Sequence, residues 1–237
     1  MINNTPQRPE ISAEELSIVL IGDLNPKIFQ PSWFASQELI RESEADTAKV
    51  EIVHADFTSF STDWFVMQVS RERFSLTVHS FAYKDHLRDL VLGTFSRLSH
   101  TPLTQMGMNY SARLHFKNDL DWHCFGHFLI PKSPFTGLLN KPGMRSFGVQ
   151  GVRPDDRRGF IAVTSEPILI SPSPNDAMLR VNDHNERPIE HKTSGAGFFL
   201  DIIEQEYNAS IDRSKVLIEK LIDRYVDQRE FDDGVSK

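Results

Sequence analysis

The feature that most constrains the fold is a double change of hydrophobic period in the first half of the chain. Residues 74–78 alternate between apolar and polar, as in a strand with one buried face. Apolar residues then recur every three or four positions over 87–98, as on one face of a helix. Alternation returns over 110–116. Strands interrupted by such a helix predict an α+β fold, with helices covering one face of an antiparallel sheet.

The remaining segments extend this pattern into two halves. Residues 14–118 are predicted as strand, helix, two strands, helix and strand. Residues 119–232 are predicted as a helix, three strands and C-terminal helices. We therefore expect two related halves of antiparallel β-meander that share one continuous sheet, with helices packed on one face. Residues 1–13 are predicted to be a flexible tail, and residues 233–237 are predicted to fray.

The predicted C-terminal helices carry a surface for association. Residues 197–207 and 211–228 have helical spacing, with a joint at Asn208, Ala209 and Ser210. An apolar stripe runs along the charged second helix: Val216, Leu217, Leu221, Ile222 and Val226. An isolated helix of this length is marginal in water. The stripe should therefore be buried on its own domain or on a second copy, and we favour a homodimer that uses it.

Composition and charge exclude several classes of function. The formal net charge is −7, so the mean field repels a phosphate backbone and we expect no nucleic-acid partner. The one cysteine, Cys124, cannot form an intrachain disulfide, which fits a reducing, cytoplasmic compartment. The polar N-terminus is not predicted to be a signal peptide, and no run of about 18 apolar residues predicts a membrane span. Arg153, Arg157 and Arg158 are interleaved with aspartates and are predicted to form a solvated turn.

Histidines offer a candidate metal site. In a helix, His123 and His127 would lie one turn apart on one face, which suits two imidazole ligands on zinc or iron. Asp121 and Cys124 could add ligands only if the backbone departs from a helix. A remote third ligand could come from His115, His184 or His191, and His184 is the preferred one. The alternative, which we favour, is that these histidines are packed or hydrogen-bonded beside an aromatic core.

Three weaker patterns remain. Residues 182–186 place His184 at a predicted strand end, where sites are often found, although a polar strand end entering a loop explains the pattern more simply. Cys124 beside an imidazole could be an activated thiolate, but a buried thiol is the simpler interpretation. Residues 194–197 precede a helix and could bind an anion, although a hinge with an N-cap is favoured.

Several short segments resemble a family of uncharacterised bacterial proteins. They are Trp33-Phe34, residues 61–65, residues 100–103 and 106–109, and Trp122-His123 with Gly126-His127. The resemblance would cover roughly residues 18–190. It implies a bacterial, soluble protein and no activity, ligand or catalytic residue.

Two functions from different classes follow. The first is a non-enzymatic component that associates with itself or with a protein partner, and the absence of nucleophile-elbow and phosphate-loop motifs favours it. The second is a metal-dependent enzyme built around His123 and His127. The sequence does not decide whether the chain is an enzyme.

Overall fold

The computed structural model describes residues 7–169, 175–188 and 195–235, with side chains to residue 228. The strands are β1 (Glu10–Gly22), β2 (Lys49–Val53), β3 (Phe57–Ser61), β4 (Val66–Ser70), β5 (Arg73–Val78), β6 (Leu103–His115), β7 (Phe147–Val152), β8 (Gly159–Ile168) and β9 (Asp176–Glu186). The helices are α1 (Pro31–Ser36), α2 (Glu42–Asp46), α3 (Lys84–Arg97), α4 (Asp119–Leu129) and α5 (Gly197–Val235). The strands form one antiparallel sheet in the order β2-β3-β4-β5-β1-β6-β9-β8-β7, which confirms the predicted α+β class.

The two longest strands, β1 and β6, pair at the centre of the sheet. Their apolar residues alternate, so one face is buried and the other is polar: Leu16, Ile18 and Leu20 on β1 are fully buried, as are Met106 and Met108 on β6. The strands β2 to β5 extend the sheet beyond β1, and β9, β8 and β7 extend it beyond β6. The predicted division at residues 118 and 119 falls between β6 and α4, and one hydrophobic core runs across it.

Helices cover the apolar face. The helix α3 packs on β1 and β5, while α5 packs on β6, β9 and α3. Aromatic rings fill the space beside β5, where Phe29 and Phe95 meet Phe74 at centroid distances of 5.6 and 5.0 Å. At the other end of the core, Tyr225 of α5 packs edge-on against Phe125 of α4. Buried aromatic contacts of this kind bind the helical layer to the sheet.

The C-terminal segment is one helix of 39 residues, which corrects the predicted joint at residues 208–210. Ser210 is fully buried and bonded to the sheet, so local helix propensity does not decide the conformation there. The buried line of α5 runs through Ile211, Ile218, Ile222 and Tyr225.

The predicted apolar stripe on α5 is thus used mostly within the monomer. Ile222 is buried, and Leu217, Leu221 and Val226 are partly buried against the core. Only Val216, which is 51% exposed, remains largely open to solvent. A homodimer through this stripe would have little apolar surface left to bury.

The predicted tail is shorter than expected, because the strand β1 begins at Glu10. Residues 49–61 form the hairpin of β2 and β3. A 3-10 turn at Ser133–Phe135 precedes β7. Among the described residues, no helix combines the length and apolar character needed to cross a membrane.

Candidate functional site

The strand β7 forms one exposed edge of the sheet. It carries no charge and no proline, and it pairs with β8 without a register shift. Every residue after Phe147 is exposed, including Val149 at 56% and Val152 at 93%. An edge strand presents a row of unpaired N–H and C=O groups, so a flat, uncharged edge is a template for another strand.

The opposite edge, β2, has features that discourage strand addition. Lys49 and Glu51 place charges on it, and its register with β3 shifts between Val50 and Ile52. The hydroxyl of Ser59 donates a 2.8 Å hydrogen bond to the carboxylate of Glu51. Charges and irregular pairing are common protections of sheet edges, and β7 has neither.

Most of the large apolar side chains that are exposed in the described residues lie on the two edge strands or in segments next to them in the sequence. Those associated with the β7–β8 hairpin are Phe135, Leu138 and Leu139 in the segment leading into β7, Val149 and Val152 on it, and Leu169 just after β8. Those on β2 are Val50, Ile52 and Val53. Clustered apolar exposure marks a contact surface more often than single exposed residues do.

A buried ionic network fixes the β7–β8 hairpin to α5. The guanidinium of Arg153, in the hairpin turn, donates two 2.8 Å hydrogen bonds to Asp155 and a further one to the carboxylate of Asp183. Asp183 is fully buried and also accepts from Ser210 at 2.8 Å and from Arg213 at 2.5 Å. The hydrogen bonds from Arg153 lower the pKa of Asp155 to about 2.

This network corrects the prediction of a solvated arginine turn. Arg153 is only 5% exposed, because its charge is compensated on both sides by carboxylates. Arg157 donates to Glu206 of α5 at 3.1 Å, and Arg158 donates to Glu186 of β9 at 2.9 Å. The hairpin is therefore held in a defined position, and its outer strand is a rigid surface.

A second feature lies on the face of the sheet opposite the helices. A groove of about 590 Å³ crosses the centre of this face and is lined by side chains that alternate with the buried ones of β1, β5, β6 and β9. Four carboxamides line it: Gln68, Gln105, Asn109 and Asn182. Three serines add hydroxyls: Ser17, Ser75 and Ser111. The groove therefore offers many hydrogen-bonding groups beside the apolar side chains of Val19, Ile21 and Phe160.

Gly107 leaves room for the carboxamide of Asn182 in the groove floor. A Cβ atom at position 107 would lie 2.7 Å from the Oδ1 atom of Asn182, closer than real Cβ contacts allow. That Oδ1 atom is shielded from solvent and has no hydrogen-bond partner among the described residues. The floor thus contains an acceptor whose bonding capacity is unused.

His184 lies at one end of this groove. Its ring stacks on Phe160 of β8 with a centroid distance of 4.4 Å and an interplanar angle of 22°. Burial lowers the pKa of His184 below its ordinary value, and the nearby carboxylate of Glu186 opposes that shift. Asp183, its neighbour on β9, faces α5 instead, as expected for successive residues of a strand.

His123 and His127 line a different cavity, of about 120 Å³, beside α4. The segment is helical as the metal hypothesis requires. Both histidines are exposed, but the ring of His123 contacts that of Trp122 at a centroid distance of 4.9 Å, so the packing that we favoured is present in part. Lys132 closes the cavity near the end of α4, where its ammonium donates to the carbonyl of Gly126 at 2.8 Å. Burial lowers the pKa of Lys132. A cation beside two imidazoles does not favour a bound metal ion.

The structure does not bring His184 to this pair. Ala177 lines the cavity of His123 and His127, and His184 is seven residues further along β9, or about 23 Å for an extended strand. No group of three or more histidine, cysteine, aspartate or glutamate residues within the described parts of the chain is arranged to hold a metal ion. His115 is bonded instead to the buried carboxylate of Asp176 at 2.8 Å. His191 lies outside the described residues.

Two weaker predicted sites remain, at Cys124 and at residues 194–197, and the structure describes only part of the second. Cys124 is a free, partly buried thiol that packs against the core. The predicted anion site at 194–197 includes Ser194, which lies outside the described residues. Gly195 and Ala196 approach the chain at Ser99, whose carbonyl accepts a 2.9 Å hydrogen bond from the backbone N–H of Ala196.

Both the ionic network and the groove were missed at the level of sequence. The network joins residues about 30 positions apart, which no local period reveals. The groove could be detected in the sequence, because residues 105–111 alternate and the polar residues of that alternation line the groove. Reading both faces of that strand would have indicated a polar surface as well as a core.

Comparisons with known proteins provide no family for this chain. No protein-family model matches its sequence, and no curated protein is significantly similar to it.

Proposed function

We propose that this chain is a non-enzymatic, self-associating protein whose two copies join through their β7 strands. The observation that carries the proposal is the difference between the sheet edges: β2 is charged and irregular, while β7 is exposed, regular and uncharged. A second copy would add its own β7 antiparallel, so the sheet would continue across a two-fold axis.

The sequence of β7 is complementary to itself in one particular register. A two-fold axis perpendicular to the sheet pairs residues whose side chains lie on the same face. If the axis passes beside Val149, this residue lies opposite Val149 of the second copy. Phe147 would then lie opposite Gly151 of the second copy, and Gly148 opposite Gln150. An aromatic ring covering a cross-strand glycine is a stabilising arrangement in sheets. Two such pairs would flank the central valines.

We infer that exposed apolar side chains which precede β7 in the sequence extend this contact. Phe135, Leu138 and Leu139 are exposed in the segment that leads into β7. Burying an exposed valine or leucine fully contributes about 1.5–3 kcal/mol, so a few such side chains add substantially to the strand hydrogen bonds. The ionic network of Arg153 holds the hairpin in place, which reduces the entropy lost on association.

The native mass of charged variants tests the proposal. Sedimentation equilibrium of the full chain should give twice the 27.1 kDa mass of one copy. Val149→Lys places two like charges opposite each other at the axis and should weaken the dimer by at least about tenfold. Val216→Lys, at a similarly exposed valine on α5, is the matched control and should leave the dimer intact.

A third variant shows which of the two sheet edges forms the contact. Val50→Lys alters β2 and should not change the mass. If Val50→Lys dissociates the protein and Val149→Lys does not, the contact lies at β2 and the proposal is wrong. A wild-type chain that stays monomeric at about 100 µM would equally overturn it, because such an association is weaker than the micromolar range. Species larger than a dimer would indicate open-ended pairing of β7 with β2.

A further inference from the structure

The cavity beside α4 contains a buried ammonium that no carboxylate of the described residues neutralises. The side chain of Lys132 is only 9% exposed. It donates to the main-chain carbonyls of Gly126 and Ile130 at the end of α4, which use two of its three N–H donors. A buried charge without an opposite charge is costly, and burial accordingly lowers the pKa of Lys132. The third donor of this ammonium is therefore available to an anion.

Further donors surround the same space. His123 and His127 line the cavity, and an imidazole provides at least one N–H donor in either of its protonation states. Arg145 lines a second cavity, of about 160 Å³, which shares Lys132 and Met144 with the first. No aspartate or glutamate of the described ranges lines either cavity. The lining is therefore basic on all sides that carry polar groups.

Negative groups near the cavity do not cancel these cations. Asp176, which precedes a lining residue on β9, is paired with Arg113 and His115. Glu166, which precedes a lining residue on β8, is paired with Arg180. The carbonyls that end a helix carry together about half an elementary charge, which the full charge of one ammonium exceeds. The cavity is thus a positive region of a protein whose net charge is −7, and it favours an anion.

The walls of the cavity are apolar, and the space is small. Trp122, Phe125, Pro142 and Met144 line it beside the donors. Sites for drug-sized ligands begin at roughly 300 Å³, whereas this cavity has about 120 Å³. A nucleotide or an oligosaccharide is too large for it, and inorganic phosphate would leave the apolar walls in contact with water. A carboxylate on a short apolar chain matches both the donors and the walls.

We infer that this cavity binds a carboxylate that carries a short apolar chain, with its oxygens hydrogen-bonded to Lys132 and His127 and its chain against Trp122 and Met144. The anion supplies the opposite charge that the buried ammonium lacks, through charge-assisted hydrogen bonds. A ligand of this size makes few contacts, so the affinity should be in about the millimolar range. The inference does not depend on the proposed self-association through β7.

Nuclear magnetic resonance of the full chain tests this inference, with isocaproate as the probe. Titration should shift the ring signals of His127 and the side-chain signals of Lys132 in a saturable way. Isocaproamide has the same shape without the charge and should bind at least about tenfold more weakly. Inorganic phosphate has the charge without the chain and should also bind more weakly than isocaproate.

Two variants and two matched controls assign the binding to this cavity. Lys132→Met removes the ammonium, keeps an apolar side chain of similar length, and should weaken isocaproate binding at least about tenfold. It also removes two hydrogen bonds from the end of α4, so His127→Ala, at an exposed position, is the second variant and should weaken binding about threefold. Lys117→Met and His54→Ala remove the same groups from exposed positions outside the cavity and should leave binding unchanged.

The source of the carboxylate is distinguished by N-acetyl-leucine. If it binds more tightly than isocaproate, the ligand is the C-terminus of a peptide, and the reverse order indicates a free acid. Isocaproate binding that survives both Lys132→Met and His127→Ala overturns the inference. Equal affinities for the acid and its amide do so too, as does the absence of saturable shifts up to about 50 mM isocaproate. Val149→Lys should bind isocaproate like the wild type, so a failure of self-association leaves this test valid.

Discussion

The hydroxyl of Ser210 donates a 2.8 Å hydrogen bond to the buried carboxylate of Asp183, which joins the long helix α5 to the sheet. The contact lies where the sequence predicts a helix joint. Asp183 also pairs with Arg153 of the β7–β8 hairpin, so one carboxylate connects the helical layer, the sheet and its exposed edge. We expect this carboxylate to control the position of the edge as well as the stability of the fold.

The first prediction concerns this hydrogen bond. Ser210→Ala should lower the free energy of unfolding by about 1–2 kcal/mol, because Asp183 loses a donor in a buried site. Urea unfolding followed by circular dichroism gives this value. Ser214→Ala is the control, since its buried hydroxyl donates only to the carbonyl of Ser210 within the helix. Equal losses in both variants would show that the bond to Asp183 has no special role.

The second prediction concerns the groove floor. Gly107→Ala should destabilise the protein by about 0.5–1.5 kcal/mol, because its Cβ atom would lie 2.7 Å from Asn182 Oδ1 and the carboxamide would have to rotate away from its present rotamer. Combining it with Asn182→Ala should relieve most of that loss, which a double-mutant cycle measures. Gly148→Ala is the control, since its Cβ would meet Thr164 at an ordinary 3.8 Å. Additive losses at 107 and 182 would contradict the predicted conflict.

The third prediction is a pH dependence. Hydrogen bonds from Arg153 lower the pKa of Asp155 from 3.8 to about 2. A depressed carboxylate pKa stabilises the fold above 3.8, and this contribution disappears as the pH falls towards 2. The difference in unfolding free energy between wild type and Asp155→Asn should therefore be constant near neutrality and shrink below pH 3.8. A difference that does not change over this interval would mean that Asp155 is not paired.

The fourth prediction concerns His184. Burial lowers its pKa below the ordinary 6.5, while Glu186 opposes the shift. Less than half of its imidazole should therefore be protonated at pH 6.5, and Glu186→Gln should lower the pKa further. Titration of the ring by nuclear magnetic resonance measures both values. Because the folded pKa is the lower one, the associated stability is complete above 6.5 and is lost as the pH falls through the folded pKa. A pKa above 6.5 would be incompatible with the buried stack on Phe160.

The fifth prediction addresses the metal hypothesis. His123 and His127 are exposed, so replacing either with alanine should change the unfolding free energy by no more than about 0.5 kcal/mol. The purified chain should also contain far less than one zinc or iron per molecule by elemental analysis. One equivalent of metal, lost in both His123→Ala and His127→Ala, would restore the alternative of a metal-dependent enzyme.

The sequence is most informative where one local period describes a whole element. The alternation at 110–116 and the helical spacing at 87–98 are confirmed as parts of β6 and α3. The helix that the metal hypothesis assumes for His123 and His127 is confirmed as α4. The exposure of His123 and His127 could not be predicted. Apolar and aromatic residues occur on several sides of this helix, so its hydrophobic period does not show which side faces solvent.

By itself, the sequence determined that helices would cover one face of an antiparallel sheet, because alternating and 3.6-residue periods establish which side of each element is apolar. Only the tertiary structure decided that β7 would be an edge, that His184 would lie far from His123 and His127, and that α5 would continue through Ser210. These outcomes depend on partners distant in the chain. The hydrogen bond of Ser210 to Asp183 joins residues 27 positions apart, so the sequence does not reveal it. This bond favours a continuous helix at the position where the local sequence predicts a joint.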